Sequence, residues 1–243
     1  VTSLYDDITR ITGNKGGVDG TNNMVCSAFE EGHSIWYFRA YDYAGVNKET
    51  GAAQFRNHEG KIVSSSELSD QDMTDIGSAI PRFTYGLTIN LEYKGLDFSV
   101  FGTGVGGNKI FNILYRADTP MRNSLKYYMD NAWSETNKNA SMPAVANVAQ
   151  DRYFWSSSAS MFKGDYFKIK QIQLGYTLPK TLTKRIALKE LRFFVSLDDF
   201  FTFSSYPGMD PETATTSNNG GGGYDIGTYP TMKKCTFGAS FAF

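Results

Sequence analysis

The last nine residues of the chain, Cys235 to Phe243, alternate large apolar side chains with small or polar ones and end on an aromatic ring. This period of two is that of a β-strand with one apolar face. In a water-soluble sheet, an exposed apolar edge strand promotes aggregation. A closed membrane barrel removes that hazard, because closure pairs the backbone groups and lipid covers the apolar face. The ending therefore favours an outer-membrane β-barrel.

Bulk composition is compatible with such a barrel and excludes other classes. The 243 residues are 41% hydrophobic and 20% charged, with a net charge of −1. No run of about 18 apolar residues exists, which excludes a transmembrane helix. A barrel strand gives a weaker signal, because half of its side chains face a polar lumen. The balanced charge and the absence of a basic run argue against nucleic-acid binding.

The clearest alternation lies between Pro81 and Leu96. One parity is wholly apolar, with Phe83, Tyr85, Leu87, Ile89, Leu91 and Tyr93. The other parity holds Arg82, Thr84, Gly86, Thr88, Asn90 and Glu92. The aromatic residues of the apolar parity stand at its ends and the aliphatic ones between them. This order is typical of a lipid-facing strand whose aromatic rings lie at the two membrane interfaces.

Further strands follow the same pattern. A tight turn at Lys94 and Gly95 leads to a second strand from Leu96, whose alternation is lost in the glycine run Gly102 to Gly107. Three later strands are predicted at Gly164 to Leu178, Lys189 to Phe203 and Cys235 to Phe243. An upstream strand is predicted at His33 to Tyr43, with aromatic residues on both parities, so its faces stay unassigned.

The connections between these strands differ in length. Links after Tyr93 and Leu178 are short, whereas those after Val46, Gly107 and Phe203 are long. Short turns at one end and long loops at the other are typical of outer-membrane barrels, whose long loops are extracellular. The stretch 108–162 lacks strand periodicity and contains a predicted short helix within 121–133.

The strands number about six, whereas bacterial barrels begin at eight. The chain also starts at Val1 rather than at a methionine. We therefore expect a fragment, with the rest of the barrel wall supplied by sequence outside these residues.

Residues suited to catalysis or metal binding are sparse. His33 and His58 stand far apart, and each is interpreted as a surface residue rather than a ligand. The glycine run lacks the lysine of a phosphate-binding loop and is interpreted as a close approach of backbones at the barrel rim. Cys26 and Cys235 are interpreted as unpaired in preference to a disulfide. The sequence thus predicts no enzyme, no metal and no cofactor.

Four segments carry a family resemblance. They are IGSAIPRFTYGLTINLEYKGLDFSVFGTGVGGNKIFN (76–112), GDYFKIKQIQLGYTLPKTL (164–182), LRFFVSLDDFFTFSSYPGMDPE (191–212) and YPTMKKCTFGASFAF (229–243). In order and spacing they resemble the C-terminal part of SusC/RagA-type TonB-dependent outer-membrane transporters. The resemblance covers nearly all of Glu31 to Phe243.

The resemblance implies a fold and a function. It implies an all-β chain, an antiparallel transmembrane barrel segment supplying about six C-terminal strands of a 22-stranded barrel. Residues 1–243 would then be the C-terminal portion of the barrel, without its plug domain and N-terminal strands. Family members import oligosaccharides or peptides across the outer membrane of Gram-negative, Bacteroidetes-like bacteria. Their partners are a SusD-like lipoprotein lid, the plug, the TonB complex and the surrounding lipid.

Candidate cargo contacts fall into two groups. Outer-loop candidates are Arg116, Trp133, Arg152, Tyr153 and Trp155, which supply flat apolar faces and forked donors. Lumen candidates are Arg192 and Asp198. Adjacent strand residues point to opposite faces, so Asp198 is expected in the lumen and Asp199 near the outer interface. The alternative for the loop rings is that they order a large loop or contact the lid.

Two other classes of function remain open at this stage. One is an outer-membrane barrel that serves as an adhesin or structural anchor through its loops. The other is a soluble secreted β-sandwich that binds carbohydrate, against which the ring order of the 83–93 face and the terminal Phe243 count. The mixed charge of the lumen parity indicates no single kind of cargo.

Overall fold

A computed structural model describes residues 10–12, 26–29, 32–34, 37–113, 126–148, 151–214 and 222–243. Its strands are β1 (Arg10–Thr12), β2 (Cys26–Phe29), β3 (Tyr37–Val46), β4 (Ala53–Arg56), β5 (Ile62–Ser64), β6 (Met73–Ser78), β7 (Phe83–Tyr93), β8 (Leu96–Gly106), β9 (Lys109–Asn112), β10 (Met161–Lys163), β11 (Tyr166–Thr177), β12 (Glu190–Ser204), β13 (Tyr224–Asp225) and β14 (Lys234–Ala242). Its helices are α1 (Lys126–Asn131), α2 (Val145–Val148), α3 (Arg152–Trp155), α4 (Lys180–Thr183) and α5 (Pro211–Ala214). Within these ranges, every helix is too short or too polar to cross a membrane.

The long strands form one antiparallel sheet in the order β14-β12-β11-β8-β7. The β7–β8 turn consists of Lys94 and Gly95, both at positive φ (48° and 85°). Two consecutive residues in the left-handed backbone conformation form a turn whose twist matches that of the flanking strands. The link from β11 to β12 is also short and contains α4. The predicted strands at 83–93, 164–178, 189–203 and 235–243 are confirmed, and so is the all-β class.

The strand register places most apolar residues of this sheet on one face. Val100 of β8 lies beside Ile89 of β7 and Ile172 of β11. Ile172 in turn lies beside Leu197 of β12, which lies beside Cys235 of β14. We call this side of the sheet the apolar face and the other side the polar face. The alternation read from single strands thus runs through all five strands at this level, although Phe101 and Phe194 stand on the polar face.

The glycine run is part of a strand, contrary to the expectation that β8 loses its regularity there. Gly102, Gly104 and Gly106 continue the apolar parity of β8. Aromatic rings of Phe167, Tyr85 and Phe83 cover them in that order, and a Cβ atom at Gly104 would lie 2.5 Å from the Tyr85 ring. Rings on the neighbouring strands therefore fill the space that side chains here would occupy.

Residues 108–162 contain strands that the periodicity did not reveal. β9 pairs with β10. This pair continues the β8–β11 ladder beyond a break in both strands, at Gly107–Asn108 and Gly164–Asp165. At that break the Gly107 amide donates to the Asp165 carboxylate at 2.7 Å. The short predicted helix is confirmed as α1, while residues 114–125 lie outside the described residues.

β3 belongs to a second sheet rather than to the long one. It pairs with β2, β4 and β6, so the strand expected at 33–43 exists but begins at Tyr37. The long sheet accordingly contains five strands in the described ranges, one fewer than expected. Cys235 has a free, exposed thiol, and the side chain of Cys26 lies outside the described residues.

The buried core lies in the smaller sheets and the loops around them, at the end of the long sheet opposite the β7–β8 turn. One cluster surrounds Phe55 and Phe154, a second surrounds Phe38 and Phe111, and a third contains Ile110, Tyr206 and Ala214. The long sheet is a single layer whose apolar face is exposed or half-buried. These loops are therefore folded structures in their own right, stabilised by their own hydrophobic contacts.

Candidate functional site

Polar side chains of neighbouring strands meet on the polar face of the sheet. Gln171 of β11 lies beside Asp198 of β12. Ser196 donates to the Asp198 carboxylate at 2.8 Å and lies 3.3 Å from the amide nitrogen of Gln171. Asp198 therefore has the facing that its parity predicted, and its carboxylate belongs to a short hydrogen-bonded row.

Arg192, the other polar-face candidate, reaches across a neighbouring strand. Its Nε and Nη2 atoms lie 3.0 and 2.5 Å from the two carboxylate oxygens of Asp97. Between the pair lies Gly175 of β11, where a Cβ atom would stand 2.4 Å from both partners. The guanidinium also lies 5.2 Å from the ring centroid of Phe194. A glycine is needed at position 175 so that the Arg192 side chain of β12 can cross β11 and reach Asp97 of β8.

Replacing Gly175 with alanine should break this pair. We expect the substitution to lower the free energy of unfolding by about 1–2 kcal/mol, because a charge-assisted, partly exposed hydrogen-bond pair is lost. Gly86→Ala is the matched control: it lies on the polar face of β7, and its added Cβ would meet the Gly102 carbonyl oxygen at an ordinary 3.5 Å. Urea unfolding of the intact protein, followed by tryptophan fluorescence, measures both. Equal losses for the two variants would contradict the prediction.

A cluster of charged side chains joins the sheet to the loop before β14. Lys168 of β11 lies 2.7 Å from both Asp210 and Glu212, and Lys170 lies 2.7 Å from Glu212 and 3.2 Å from Asp199. We call these five residues the ion cluster. Three carboxylates face two ammonium groups, so opposite charges alternate around it. Thr231 adds a hydroxyl 3.3 Å from Lys168 and an amide that donates to Asp210 at 3.1 Å.

The position of Asp199 corrects the expectation that it lies on the outward face. The register of β11 against both neighbours shifts between Ile169 and Gln171. In β12, Asp199 takes a left-handed conformation with φ of 57°. Such a bulge re-aims side chains and breaks strict alternation. Asp199 consequently pairs with Lys170 and joins the cluster on the polar face.

The two loop acids of the cluster stay ionised although they are buried or half-buried. Burial by itself would raise the pKa of Asp210 and Glu212. Burial is the largest single influence, but the hydrogen bond from Lys168 together with backbone amides at Asp210, and together with Lys170 at Glu212, outweighs it. The net result is a pKa below the ordinary value for each, so both carboxylates stay ionised and paired at neutral pH.

The aromatic candidates lie in the loop core, away from Arg192 and Asp198. Trp133 donates through Nε1 to the Lys48 carbonyl at 3.0 Å, and its ring covers Gly51. Tyr153 and Trp155 are half-buried beside the first core cluster. These contacts are what a loop-ordering role requires, and the cargo-binding role of the three rings stays a prediction. Arg152 begins α3, and Arg116 lies outside the described residues.

A cavity of about 420 Å³ opens among the loops near β4. His58 in its lining lies 2.6 Å from Asp72, which also accepts amide hydrogen bonds from His58 and Ser69. Those amides hold the pKa of Asp72 far below its usual range. The other histidine, His33, pairs with Asp75 at 3.0 Å. Each histidine thus contacts a carboxylate, and Asp72 serves to close the 3₁₀ turn Asp70–Asp72.

The ion cluster is the feature that sequence reasoning missed. Lys168 on β11 and Asp210 in the loop after β12 are 42 positions apart in the sequence. Two signals were present in the sequence: a lysine on the polar parity of β11, and an Asp-Pro-Glu run in the loop after β12. Neither feature by itself indicates the other as its partner.

A single-layer antiparallel sheet with one exposed apolar face and one polar face defines a wall segment of an outer-membrane β-barrel. TonB-dependent receptor P3 of Formosa agariphila is 31% identical over 234 residues, covering 88% of this chain and 22% of the relative. TonB-dependent receptor P26 of the same organism is 25% identical, covering 79% of the chain and 20% of the relative. Over the part that matches, the chain is thus similar to TonB-dependent receptors, which supports the SusC/RagA-type resemblance noted in the sequence.

Solved structures show the same fold. The RagAB peptide transporter superposes with a TM-score of 0.78 at 24% identity, covering all of this chain and 26% of that one. The RagAB peptide importer in its 'open-open' state gives a TM-score of 0.77 at 22% identity, again over the whole chain. No protein-family model matches the chain. The chain spans about a fifth of the length of the curated relatives it matches.

Proposed function

We propose that residues 1–243 form the C-terminal portion of a barrel that imports large nutrients across the outer membrane with TonB-derived energy. The observation that supports this most is the two-faced sheet, whose apolar face suits lipid and whose polar face suits a hydrated passage. The named relatives are receptors and importers, which agrees with the prediction that the chain is not an enzyme. Localisation in a Gram-negative, Bacteroidetes-like outer membrane follows from the same proposal.

The proposed cargo is an oligosaccharide or a peptide. The RagAB structures are of a peptide importer, which supports the peptide class. We propose further that a SusD-like lipoprotein covers the outer mouth, that the rest of the barrel and a plug complete the pore, and that TonB acts on the plug. Arg192 and Asp198 would contact cargo in the lumen, and Trp133, Tyr153, Trp155, Arg116 and Arg152 would contact it in the outer loops.

Deleting the whole gene in its native bacterium tests this function. We expect the deletion strain to lose growth on either an oligosaccharide or a peptide mixture as sole nutrient, and to regain it when the intact gene is restored. Growth on free monosaccharides and amino acids is the control, since small solutes pass through porins. Removal of TonB should give the same loss as the deletion.

The alternative of an adhesin or structural anchor gives a different result. In that case the deletion strain would grow normally on every nutrient and lose attachment to surfaces or other cells. Import that persists without TonB would also overturn the proposal.

A further inference from the structure

Lys168 is buried where the sheet alone would leave it exposed. It is the third residue of β11 from the loop end of the sheet, on the polar face, and its exposed fraction is 1%. A single-layer sheet cannot bury a lysine by itself. The covering atoms come from the segments 205–214 and 222–233, which we call the inward loop. Asp210, Glu212 and Thr231 of this loop supply the partners of its ammonium group.

The wall offers Lys168 no charged partner in the adjacent strand positions. Thr103 of β8 and Thr202 of β12 lie directly beside it. A buried ammonium group without a counter-charge is strongly unfavourable. Folding of the inward loop onto the polar face is therefore coupled to the burial of this lysine. The loop in turn needs Lys168, because without it the buried Asp210 would lose its ammonium partner, whereas Glu212 would keep Lys170.

We propose that the ion cluster is a latch that holds the inward loop against the polar face of the wall, inside the barrel lumen. In the transporter proposed above, on which this reading rests, the loop then borders the path of the cargo instead of extending outward. Release of the latch would free the loop from the wall and uncover the polar face beneath it.

Thiol labelling of the intact transporter tests the latch. Ala214 of the loop has an exposed fraction of 0%, and Thr103 lies on the wall beside Lys168. A single cysteine is placed at either position, with Cys26 and Cys235 replaced by serine. We expect Lys168→Met to increase the rate of reaction with a membrane-impermeant maleimide at least tenfold at both positions. Lys163→Met, an exposed lysine of β10, is the control and should leave both rates unchanged.

A second variant separates release of the loop from failure to fold. Asp210→Asn combined with Glu212→Gln removes the loop charges and leaves the wall intact, and it should increase both labelling rates in the same way. Heat-modifiable migration on a gel checks that each barrel is folded. Unchanged rates in both folded variants would overturn the latch. The labelling needs no cargo, so a transporter that fails the nutrient test can still show the latch, and the reverse also holds.

Discussion

Replacing Ile89 with arginine is expected to destabilise the folded barrel by about 2–4 kcal/mol. Ile89 lies near the middle of β7 on the apolar face, and 41% of it is exposed because no protein covers it. In the membrane this surface contacts hydrocarbon, where a guanidinium has no counter-charge and no water. The cost is greatest at the midplane and falls towards the interfaces, which is why a central residue gives the largest effect.

Asn90 provides the matched control for this experiment. It is the next residue of the same strand, lies on the polar face, and is opposed by Ser99 of β8. Asn90→Arg therefore adds the same side chain at the same depth but in a hydrated lumen, and should change stability by under about 1 kcal/mol. Reversible urea unfolding of the intact protein in lipid vesicles measures both variants. Similar losses at the two positions would mean that the apolar face does not contact lipid.

Alternation predicted the long strands well because each of them is paired on a one-layer sheet. In β7 one face contacts lipid and the other contacts water, so the polarity of the side chains alternates at every position. Gly102 to Gly106 follow the same geometry, yet glycine has no side chain through which polarity can be read. Their apolar character is supplied by rings on β7 and β11, which no local pattern reveals.

The polar site depends on contacts that are distant in the sequence. Alternation assigned Arg192 and Asp198 to the polar face, but the partner of Arg192 is Asp97, two strands away. The bulge at Lys170 and Asp199 reverses the facing that alternation predicts for Asp199. Tertiary pairing decides both features, and a single sequence carries little information about which loop acid meets which wall lysine.

Asp225→Ala is expected to lower the stability of the inward loop by about 3 kcal/mol, the second of the large effects. Asp225 is buried and accepts hydrogen bonds from the Tyr206 hydroxyl at 2.5 Å and from the amides of Gly227 and Thr228 at 2.9 and 3.2 Å. Its carboxylate also lies 3.5 Å from the Asn112 amide nitrogen. Alanine would leave these buried donors without their charged acceptor, which costs more than the bonds themselves contribute.

Asp225→Asn is the control, because it keeps the shape and one acceptor oxygen and should cost clearly less. Both are measured as the rate of limited proteolysis of the inward loop in the intact protein, with the barrel checked by heat-modifiable migration. Asp225 and Lys168 hold the same loop through different elements, the first through β9 and the second through β11. If the loop is released as one unit, combining Asp225→Ala with Lys168→Met should add little to either alone. Fully additive effects would instead show two independent halves of the loop, and would confine the latch to the half around α5.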